Sequence, residues 1–395
     1  MKSIISLFIL LVISIQINAQ WTKLNSGTTE WLRGIWFLDN NEGLAVGYNG
    51  LIIKTTNAGE TWTKIESNTS KNLFSVFFAD NQTGYITGSG GIILKTTNKG
   101  NTWTKVKEGG GTLHESYFLS PKLGYIAGEN GSVFKTEDGG QNWKTLSLGS
   151  FNGKVSVFFN NENVGYFVGI GKNEAIMKTT NGGGSFQSQY SGPTSEFSSV
   201  YFTDMNTGFA CSTIDPTKIV KTTNGGQNWE EKILNIEQGL YAIKFTDANH
   251  GWVVGGFPDA SIILKTEDGG KTWVDDNSPS QEPLFDVFMR SENYGFAIGR
   301  NGTILRLGEA VSTNNNEFAK MEIYPNPTKN FLTIKSDSYN PGKFNYSLID
   351  IRGTEIMKGE LFDKERLDVQ DLISGIYFLQ LKKDENIKSI RILKE

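Results

Sequence analysis

One aromatic residue recurs along this chain at intervals of 40 to 44 residues, and this spacing constrains the fold more than any other feature. Six copies end a shared signature, as in KTTNAGETW, KTTNGGQNW and KTEDGGKTW. The aromatic positions are Trp21, Trp62, Trp103, Trp143, Phe186, Trp229 and Trp273. A repeat of this length containing several short apolar segments is typical of the blades of a β-propeller.

The two ends of the repeat array complement each other. Trp21 has no signature before it, whereas the last strand-like segment, GTILRLGE at Gly302–Glu309, has no Trp after it. We therefore predict an all-β fold: a seven-bladed β-propeller over residues 20–308 whose last blade is closed by the N-terminal strand. Within each repeat, short apolar segments such as LFSVFF at Leu73–Phe78 are expected to form sheets that are covered on both faces.

The composition excludes several classes of function. The net charge is −4 and the lysines are spread along the repeats, which disfavours nucleic acid as a partner. Cys211 is the single cysteine, and His114 and His250 lie in different repeats, so we expect neither a disulfide nor a metal site. No glycine-rich phosphate loop lies between a strand and a helix, and we expect no cofactor.

The N-terminus has the pattern of a signal peptide. Lys2 precedes an apolar run from Ile4 to Ile15, and Ala19 supplies a small residue at the expected cut. The run is shorter than the roughly 20 residues needed to span a bilayer. We predict a signal peptide at residues 1–19 and no membrane span in the mature protein.

Each full repeat contains the turn T-x-[ND]-x-G-x-x-W, with Phe186 in place of Trp in one copy, and its Asn or Asp can accept hydrogen bonds from backbone N–H groups. The turn resembles the Asp-box, or BNR repeat, of sialidase-like propellers. That resemblance implies a structural role on the face away from an active site. The Asn or Asp positions are Asn57, Asn98, Asp138, Asn181, Asn224 and Asp268.

Differences in repeat length are concentrated between the second and third strands of repeats 4, 5 and 6. Loops that vary on a constant scaffold often carry function, so we predict a ligand-binding rim there, with neutral loop drift as the alternative. The predicted rim residues are Lys172, Asn173, Glu174, Asp215, Thr217, Phe257 and Asp259.

One position in the first strand of each repeat is expected to lie near the propeller axis. It holds a small residue in most repeats, but Glu115 and Asp286 in two of them. These carboxylates are either hydrated residues lining the channel or a catalytic pair of the kind that glycosidases use.

After a polar linker at residues 309–320, alternating segments predict a small β-sandwich over residues 321–395. YPNPT at Tyr324–Thr328, the D-x-x-G turn at Asp350–Gly353 and the run from Leu367 to Phe378 resemble the type A sorting domain of the type IX secretion system. The resemblance implies the secretion machinery as a partner, and a secreted or outer-surface location in a Gram-negative bacterium. The alternative is an ordinary carbohydrate-binding sandwich.

The repeat read through Phe78–Trp103 resembles the propellers of photosystem II assembly and stability factors. In that family an arginine patch is thought to contact the partner, whereas this propeller holds only Arg33, Arg290, Arg300 and Arg306. A photosystem partner is therefore not expected. We predict a binding module for a protein or glycan ligand, with a glycoside hydrolase of the Asp-box type and a structural adhesin as the alternatives.

Overall fold

The computed structural model describes residues 19–149, 151–171, 175–191, 196–213, 216–256, 260–308, 321–336, 343–350, 354–362, 365–383 and 386–395. The chain divides into two compact units, Met1–Val311 and Ser312–Glu395. Throughout the described ranges the regular elements are strands, apart from 3-10 turns at Tyr48–Gly50, Ser89–Gly91, Glu129–Gly131 and Arg300–Gly302. The all-β prediction is confirmed. No helix in these ranges is long and apolar enough to cross a membrane.

The first unit contains seven four-stranded sheets, here called blades 1 to 7. The first strand of the chain is β1 (Trp21–Leu24). Blade 1 consists of β2 (Leu32–Phe37), β3 (Gly43–Gly47), β4 (Ile52–Thr55) and β5 (Thr63–Ile65). Blade 2 consists of β6 (Leu73–Phe78), β7 (Gly84–Gly88), β8 (Ile93–Thr96) and β9 (Thr104–Lys107). Blade 3 consists of β10 (Leu113–Phe118), β11 (Gly124–Gly128), β12 (Ser132–Thr136) and β13 (Lys144–Ser147).

The remaining blades continue the same antiparallel order. Blade 4 consists of β14 (Phe151–Phe159), β15 (Gly165–Gly171), β16 (Ile176–Thr179) and β17 (Gln187–Tyr190). Blade 5 consists of β18 (Phe197–Phe202), β19 (Gly208–Ser212), β20 (Lys218–Thr222) and β21 (Glu230–Ile233). Blade 6 consists of β22 (Leu240–Phe245), β23 (Gly251–Gly255), β24 (Ile262–Thr266) and β25 (Val274–Asp275). Blade 7 is β26 (Leu284–Ser291), β27 (Tyr294–Gly299), β28 (Ile304–Leu307) and β1.

The N-terminal strand closes the ring, as the loose ends of the repeat array predicted. β1 pairs antiparallel with β28, and Trp21 lies opposite Leu307. The Trp21 side chain is buried, and its indole Nε1 donates a hydrogen bond to Asp276 Oδ2 at 2.7 Å. The last blade is therefore assembled from both ends of the propeller sequence.

A hydrogen bond from a basic side chain to a backbone carbonyl of the next blade recurs around the ring, and it is also present between blade 7 and blade 1. Lys54 of blade 1 donates a hydrogen bond from Nζ to the Lys99 carbonyl of blade 2 at 2.9 Å. In blade 7, Arg306 occupies the lysine position and donates from Nη1 to the Ala58 carbonyl of blade 1 at 3.1 Å. The Arg–Lys difference therefore leaves the inter-blade contact intact.

Neighbouring blades pack face to face through apolar side chains. Phe37 of blade 1 stacks on Phe296 of blade 7 with ring centroids 3.9 Å apart. Tyr85 of blade 2 stacks on Phe118 of blade 3 at 3.8 Å. Full burial of a large apolar side chain is worth about 1.5–3 kcal/mol, so these contacts are a main source of stability. The first strands of adjacent blades also contact one another, which brings them together at the axis.

The second unit has two antiparallel sheets around one apolar core. Their strands are β29 (Met321–Tyr324), β30 (Phe331–Ser336) and β33 (Arg366–Asp368) in one sheet, and β31 (Lys343–Asp350), β32 (Glu355–Phe362), β34 (Gly375–Lys383) and β35 (Asn386–Lys394) in the other. Leu332 and Ile334 of the first sheet share a core with Leu348, Leu379 and Leu381 of the second. This arrangement is consistent with the predicted β-sandwich.

Candidate functional site

Strand pairing places one residue of each first strand at the same level near the axis. We call these the axial positions. Each lies directly after a register shift near the start of its strand, or shortly after one in blade 4. They are Gly34, Ser75, Glu115, Ser156, Ser199, Ala242 and Asp286. Glu115 and Asp286 line the same small cavity at the axis.

The two axial carboxylates accept hydrogen bonds from the backbone. Glu115 Oε2 accepts from the Val157 N–H of the next blade at 3.3 Å. Asp286 Oδ2 accepts from the Ile35 N–H of blade 1 at 3.0 Å, and its Oδ1 accepts from the Val287 N–H at 2.9 Å. Both side chains therefore join one blade to the next.

Two axial serines make the equivalent contact. Ser75 Oγ accepts from the Ser116 N–H at 3.3 Å, and Ser199 Oγ accepts from the Ile243 N–H at 3.3 Å. In each case the donor is the residue that follows the axial position of the next blade. The carboxylates thus occupy a structural position that neutral hydroxyls fill elsewhere in the ring.

Burial shifts the pKa of two charged side chains near the axis. It raises the pKa of Asp286 to about 6, although nearby Lys244 acts in the opposite direction. Burial lowers the pKa of Lys154, and the neighbouring Arg33 lowers it further. Charged groups of both signs therefore lie close together at the axis, where solvent screening is weaker than at the surface.

Three cationic side chains line the axial cavity: Arg33, Lys154 and Lys244. None of them forms a hydrogen bond or ion pair with the part of the chain that the structure describes. Arg33 lies over the Phe285 ring at 4.2 Å, and Lys244 lies 5.8 Å from the centroid of Tyr201. Glu115 and Asp286 offset part of this positive charge, but the cations make no direct polar contact with them, which leaves their N–H groups able to bind an anionic or electron-rich ligand.

A row of aromatic side chains surrounds one end of this cavity. Neighbouring ring centroids in the row lie 5.2 to 6.1 Å apart. The row follows the starts of the first strands and the connection after β3, and its members are Tyr241, Phe285, Trp31, Tyr48, Phe74 and His114. We call this row, with Arg33 and Lys154, the mouth. Burial lowers the pKa of His114 to about 4, so this ring is neutral at pH 7.

Most of the predicted rim lies outside the described residues. This applies to Lys172, Asn173, Glu174, Asp215, Phe257 and Asp259. Thr217 is described and has a side chain that is only 1% exposed. Its hydroxyl donates to the Gln238 carbonyl, in the connection between β21 and β22, at 3.1 Å, so Thr217 does not present its side chain on an exposed rim.

The six Asp-box turns form local hydrogen-bond networks. In blade 1, Gly59 N–H donates to Thr55 Oγ1 at 2.9 Å, and Thr61 N–H donates to Asn57 Oδ1 at 3.0 Å. Gly59 has a positive φ of 82°, which favours glycine at this reversal. The same role of the Asn or Asp oxygen recurs at Asn98, Asp138, Asn181, Asn224 and Asp268. These side chains therefore fix the conformation of the turn.

Comparison with known proteins identifies both parts of the chain. The family model described as "Photosynthesis system II assembly factor YCF48" matches residues 13–145 and 232–308. The chain belongs to this family. Residues 322–395 match the model described as "Secretion system C-terminal sorting domain". This tail implies interaction with the secretion machinery and export to the cell surface or beyond, as in Bacteroidetes-type Gram-negative bacteria.

Solved structures agree with the propeller fold. The structure of YCF48 from Cyanidioschyzon merolae is 21% identical over 73% of this chain and 99% of its own, with a TM-score of 0.60. A structure described as YCF48 bound to D1 peptide is also 21% identical, over 73% and 97% of the two chains, with a TM-score of 0.60. Niastella koreensis GH74 enzyme is 12% identical over 81% and 60%, with a TM-score of 0.60. None of the curated proteins compared with this chain matches it.

The repeat pattern did not reveal the cationic side chains at the axis of this YCF48-type propeller as functional candidates. Lys154 reaches the axis because β14 shifts register between Asn152 and Val155, which the repeat spacing does not reveal. Lys244 had a visible signal, since it replaces the aromatic residue found at Trp36 and at the equivalent position of the other blades.

Proposed function

We propose that this protein is an exported, non-catalytic binding module that holds an extracellular protein or glycan at the mouth. Its signal peptide occupies residues 1–19, the propeller 20–308, the linker 309–320 and the sorting domain 321–395. The type IX machinery recognises residues 321–395. The mature protein is then released or attached to the outer surface of a Gram-negative cell.

The mouth supports this proposal because its binding groups are not used by the fold. Arg33 and Lys154 have no hydrogen-bond or ion-pair partner among the described residues, whereas the nearby Glu115 and Asp286 bond to backbone N–H groups. Trp31 and Tyr48 stack at 5.2 Å and remain partly exposed. Aromatic and arginine side chains are the residues that contribute most at binding surfaces.

A protein segment is the ligand that the comparisons favour. One similar propeller, at 21% identity, has been solved bound to a D1 peptide. That precedent concerns the fold and does not transfer the D1 peptide to this chain. The loops of blades 4 to 6, with Lys172, Glu174 and Phe257, are a second contact region in this proposal.

A glycoside hydrolase is the second candidate. Glu115 and Asp286 line one cavity, and a carboxyl whose pKa is about 6 can act as a general acid near neutral pH. The hydrogen bonds from Ile35 and Val287 weaken this reading, because they occupy both Asp286 oxygens. The serines at equivalent positions give these carboxylates a structural explanation.

The test uses the purified mature protein with a panel of polysaccharides and an array of extracellular peptides. Retention and the release of new reducing ends are read from the same samples. We expect retention without release, weakened at least tenfold in the variant Arg33→Ala and unchanged in Arg290→Ala. Sugar release that is lost in Glu115→Gln and Asp286→Asn would instead establish the hydrolase.

Export is tested separately. Removing residues 322–395 is expected to leave the propeller in the periplasm, because the sorting domain carries the signal for the outer-membrane step. Fractionation of cells and medium measures this directly. Undiminished secretion of the shortened protein would contradict the role of the tail while leaving the binding proposal intact.

A further inference from the structure

Beyond the axial positions, toward the far ends of the first strands, a second ring of side chains faces the axis. These residues are equivalent by strand pairing, and six of the seven are aromatic. They are Trp36, Phe77, Tyr117, Phe158, Tyr201, Lys244 and Phe288, here called the channel ring. All seven stay partly exposed, although they lie deep in the fold.

The channel ring encloses a cavity that is large enough for a small ligand. Its aromatic centroids follow one another at 4.6 to 5.6 Å from Phe288 through Trp36 to Tyr201. The cavity that they line has a volume of about 310 Å³, which is at the small end of the range for ligand pockets. Aromatic surface that remains in contact with water in such a cavity is a driving force for binding an apolar group.

One side of the channel ring is polar. The hydroxyls of Tyr117 and Tyr201 and the ammonium of Lys244 form no hydrogen bonds with the described part of the protein. Burial raises the pKa of both tyrosines, so both hydroxyls remain protonated donors at neutral pH. The opposite side holds Phe77 and Phe288, together with Met289 at the edge of the cavity. The cavity therefore has an apolar side and a polar side, and the polar side carries two phenol hydroxyls and one ammonium group.

The charges near the cavity favour an anion over a cation. Lys244 lines this cavity, and Arg33 and Lys154 lie on the other side of the axial positions. Asp286 and Glu115 also line the cavity, but three bonds from backbone N–H groups already stabilise their negative charge. Around the axial positions the three cations outnumber the two carboxylates, and within the cavity an anionic ligand would meet Lys244 and two phenol donors.

We propose that the channel ring is a second binding site, distinct from the mouth, which takes a small organic acid with an aromatic body. The aromatic body lies against Phe77, Phe288 and Trp36. The carboxylate accepts hydrogen bonds from the Lys244 ammonium and from the Tyr117 and Tyr201 hydroxyls. No bond forms or breaks in the ligand.

The experiment titrates the mature full chain with 3-phenylpropionate and with its uncharged amide, 3-phenylpropionamide, by calorimetry. We expect the acid to bind and the amide to bind at least tenfold more weakly, since a hydrogen bond to a charged group is worth about 1.5–3 kcal/mol. Lys244→Met should weaken the acid about tenfold without changing the affinity for the amide. Lys64→Met, on an exposed outer strand, should have no effect.

A second variant guards against misfolding of the first. Tyr117→Phe combined with Tyr201→Phe preserves the ring shapes and removes both hydroxyls, so it should also weaken the acid selectively. Equal affinity for acid and amide, or tighter binding of phenyltrimethylammonium than of the acid, would overturn the proposal. So would no binding of 3-phenylpropionate by the folded wild-type protein. Loss of ligand binding at the mouth does not bear on this result, because the Arg33→Ala variant is measured with a different ligand.

Discussion

Two regions of the propeller hold aspartates in opposite environments. In the Asp-box turn of blade 6, Asp268 accepts hydrogen bonds from the Thr272 backbone at 2.8 Å and from its hydroxyl at 2.7 Å. These bonds lower the pKa of Asp268 to about 2. At the axis, burial raises the pKa of Asp286 to about 6. The same residue type therefore stabilises its charge in one region and loses part of that stabilisation in the other.

The difference follows from where the partners come from. An Asp-box turn is self-contained, because Thr266, Asp268, Gly270 and Thr272 satisfy one another within a few residues. Each copy can therefore be repeated without reference to the rest of the ring. An axial side chain instead depends on the next blade, as Asp286 does on Ile35. Axial positions can consequently differ from one another and acquire individual chemistry.

The largest expected effect comes from His114 at the mouth. Burial lowers its folded pKa from 6.5 to about 4, so its contribution is present above pH 6.5 and is lost as the pH falls toward 4. We expect a loss of up to about 3 kcal/mol in the free energy of unfolding over this range. In His114→Phe this part of the pH dependence should disappear.

Denaturant titration followed by tryptophan fluorescence measures the free energy of unfolding of the propeller at each pH, because all nine tryptophans lie in the propeller sequence. If the free energy of unfolding fell with pH between 6.5 and 4 as steeply in His114→Phe as in the wild type, the His114 ring would be protonated as readily as a free imidazole. The axial region would then be more hydrated than its geometry indicates.

Asp286 is expected to change the free energy of unfolding with pH by a similar amount and in the opposite direction. Its folded pKa is raised from 3.8 to about 6, so its contribution is present below pH 3.8 and is lost as the pH rises through 6. The expected loss is up to about 3 kcal/mol. The difference between wild type and Asp286→Asn isolates it, since His114 contributes equally to both. If that difference did not vary with pH, burial of Asp286 would not be the cause of its shift.

An intermediate effect is expected at the turns. Thr266 is buried, and its hydroxyl accepts a hydrogen bond from the Gly270 N–H at 2.8 Å. Thr266→Val leaves that N–H without a partner and should cost about 2 kcal/mol at every pH. Thr266→Ser restores the hydroxyl and should recover most of the loss. Equal destabilisation by valine and serine would show that the methyl group matters and the hydrogen bond does not.

The sequence predicts the turns better than the axis because a turn is determined locally. The spacing of Thr, Asn or Asp, Gly and Trp describes a complete set of hydrogen bonds, and the loose ends at Trp21 and Gly302–Glu309 correctly predicted the pairing of β1 with β28. The equivalence of the axial positions could also be predicted, because each lies two residues before a pair of large side chains such as Phe77-Phe78. Glu115 and Asp286 are indeed brought to one cavity.

The surroundings of those positions could not be read in the same way. Lys154 enters the cavity through an irregularity in β14, which has no counterpart in the repeat period. Thr217 was expected on an exposed rim because it lies in a longer connection, yet its side chain is buried and its hydroxyl donates to the Gln238 carbonyl between β21 and β22. Both outcomes depend on residues that are distant in the repeat, and spacing alone does not encode those contacts.

The smallest effect is expected when a turn aspartate is replaced. Asn57 performs the same task as Asp268, with Oδ1 accepting from the Thr61 N–H at 3.0 Å and Nδ2 donating to the Thr61 hydroxyl at 2.9 Å. Asp268→Asn should therefore leave stability at pH 7 almost unchanged. Below pH 4 the wild type loses the contribution of a carboxylate whose folded pKa is about 2, and the variant does not. Fluorescence-detected unfolding at pH 7 and pH 3 measures both arms, and Asp138→Asn repeats the test in blade 3. If Asp268→Asn were as destabilising at pH 7 as Thr266→Val, the turn would depend on charge, and the interchangeability of its copies would be refuted.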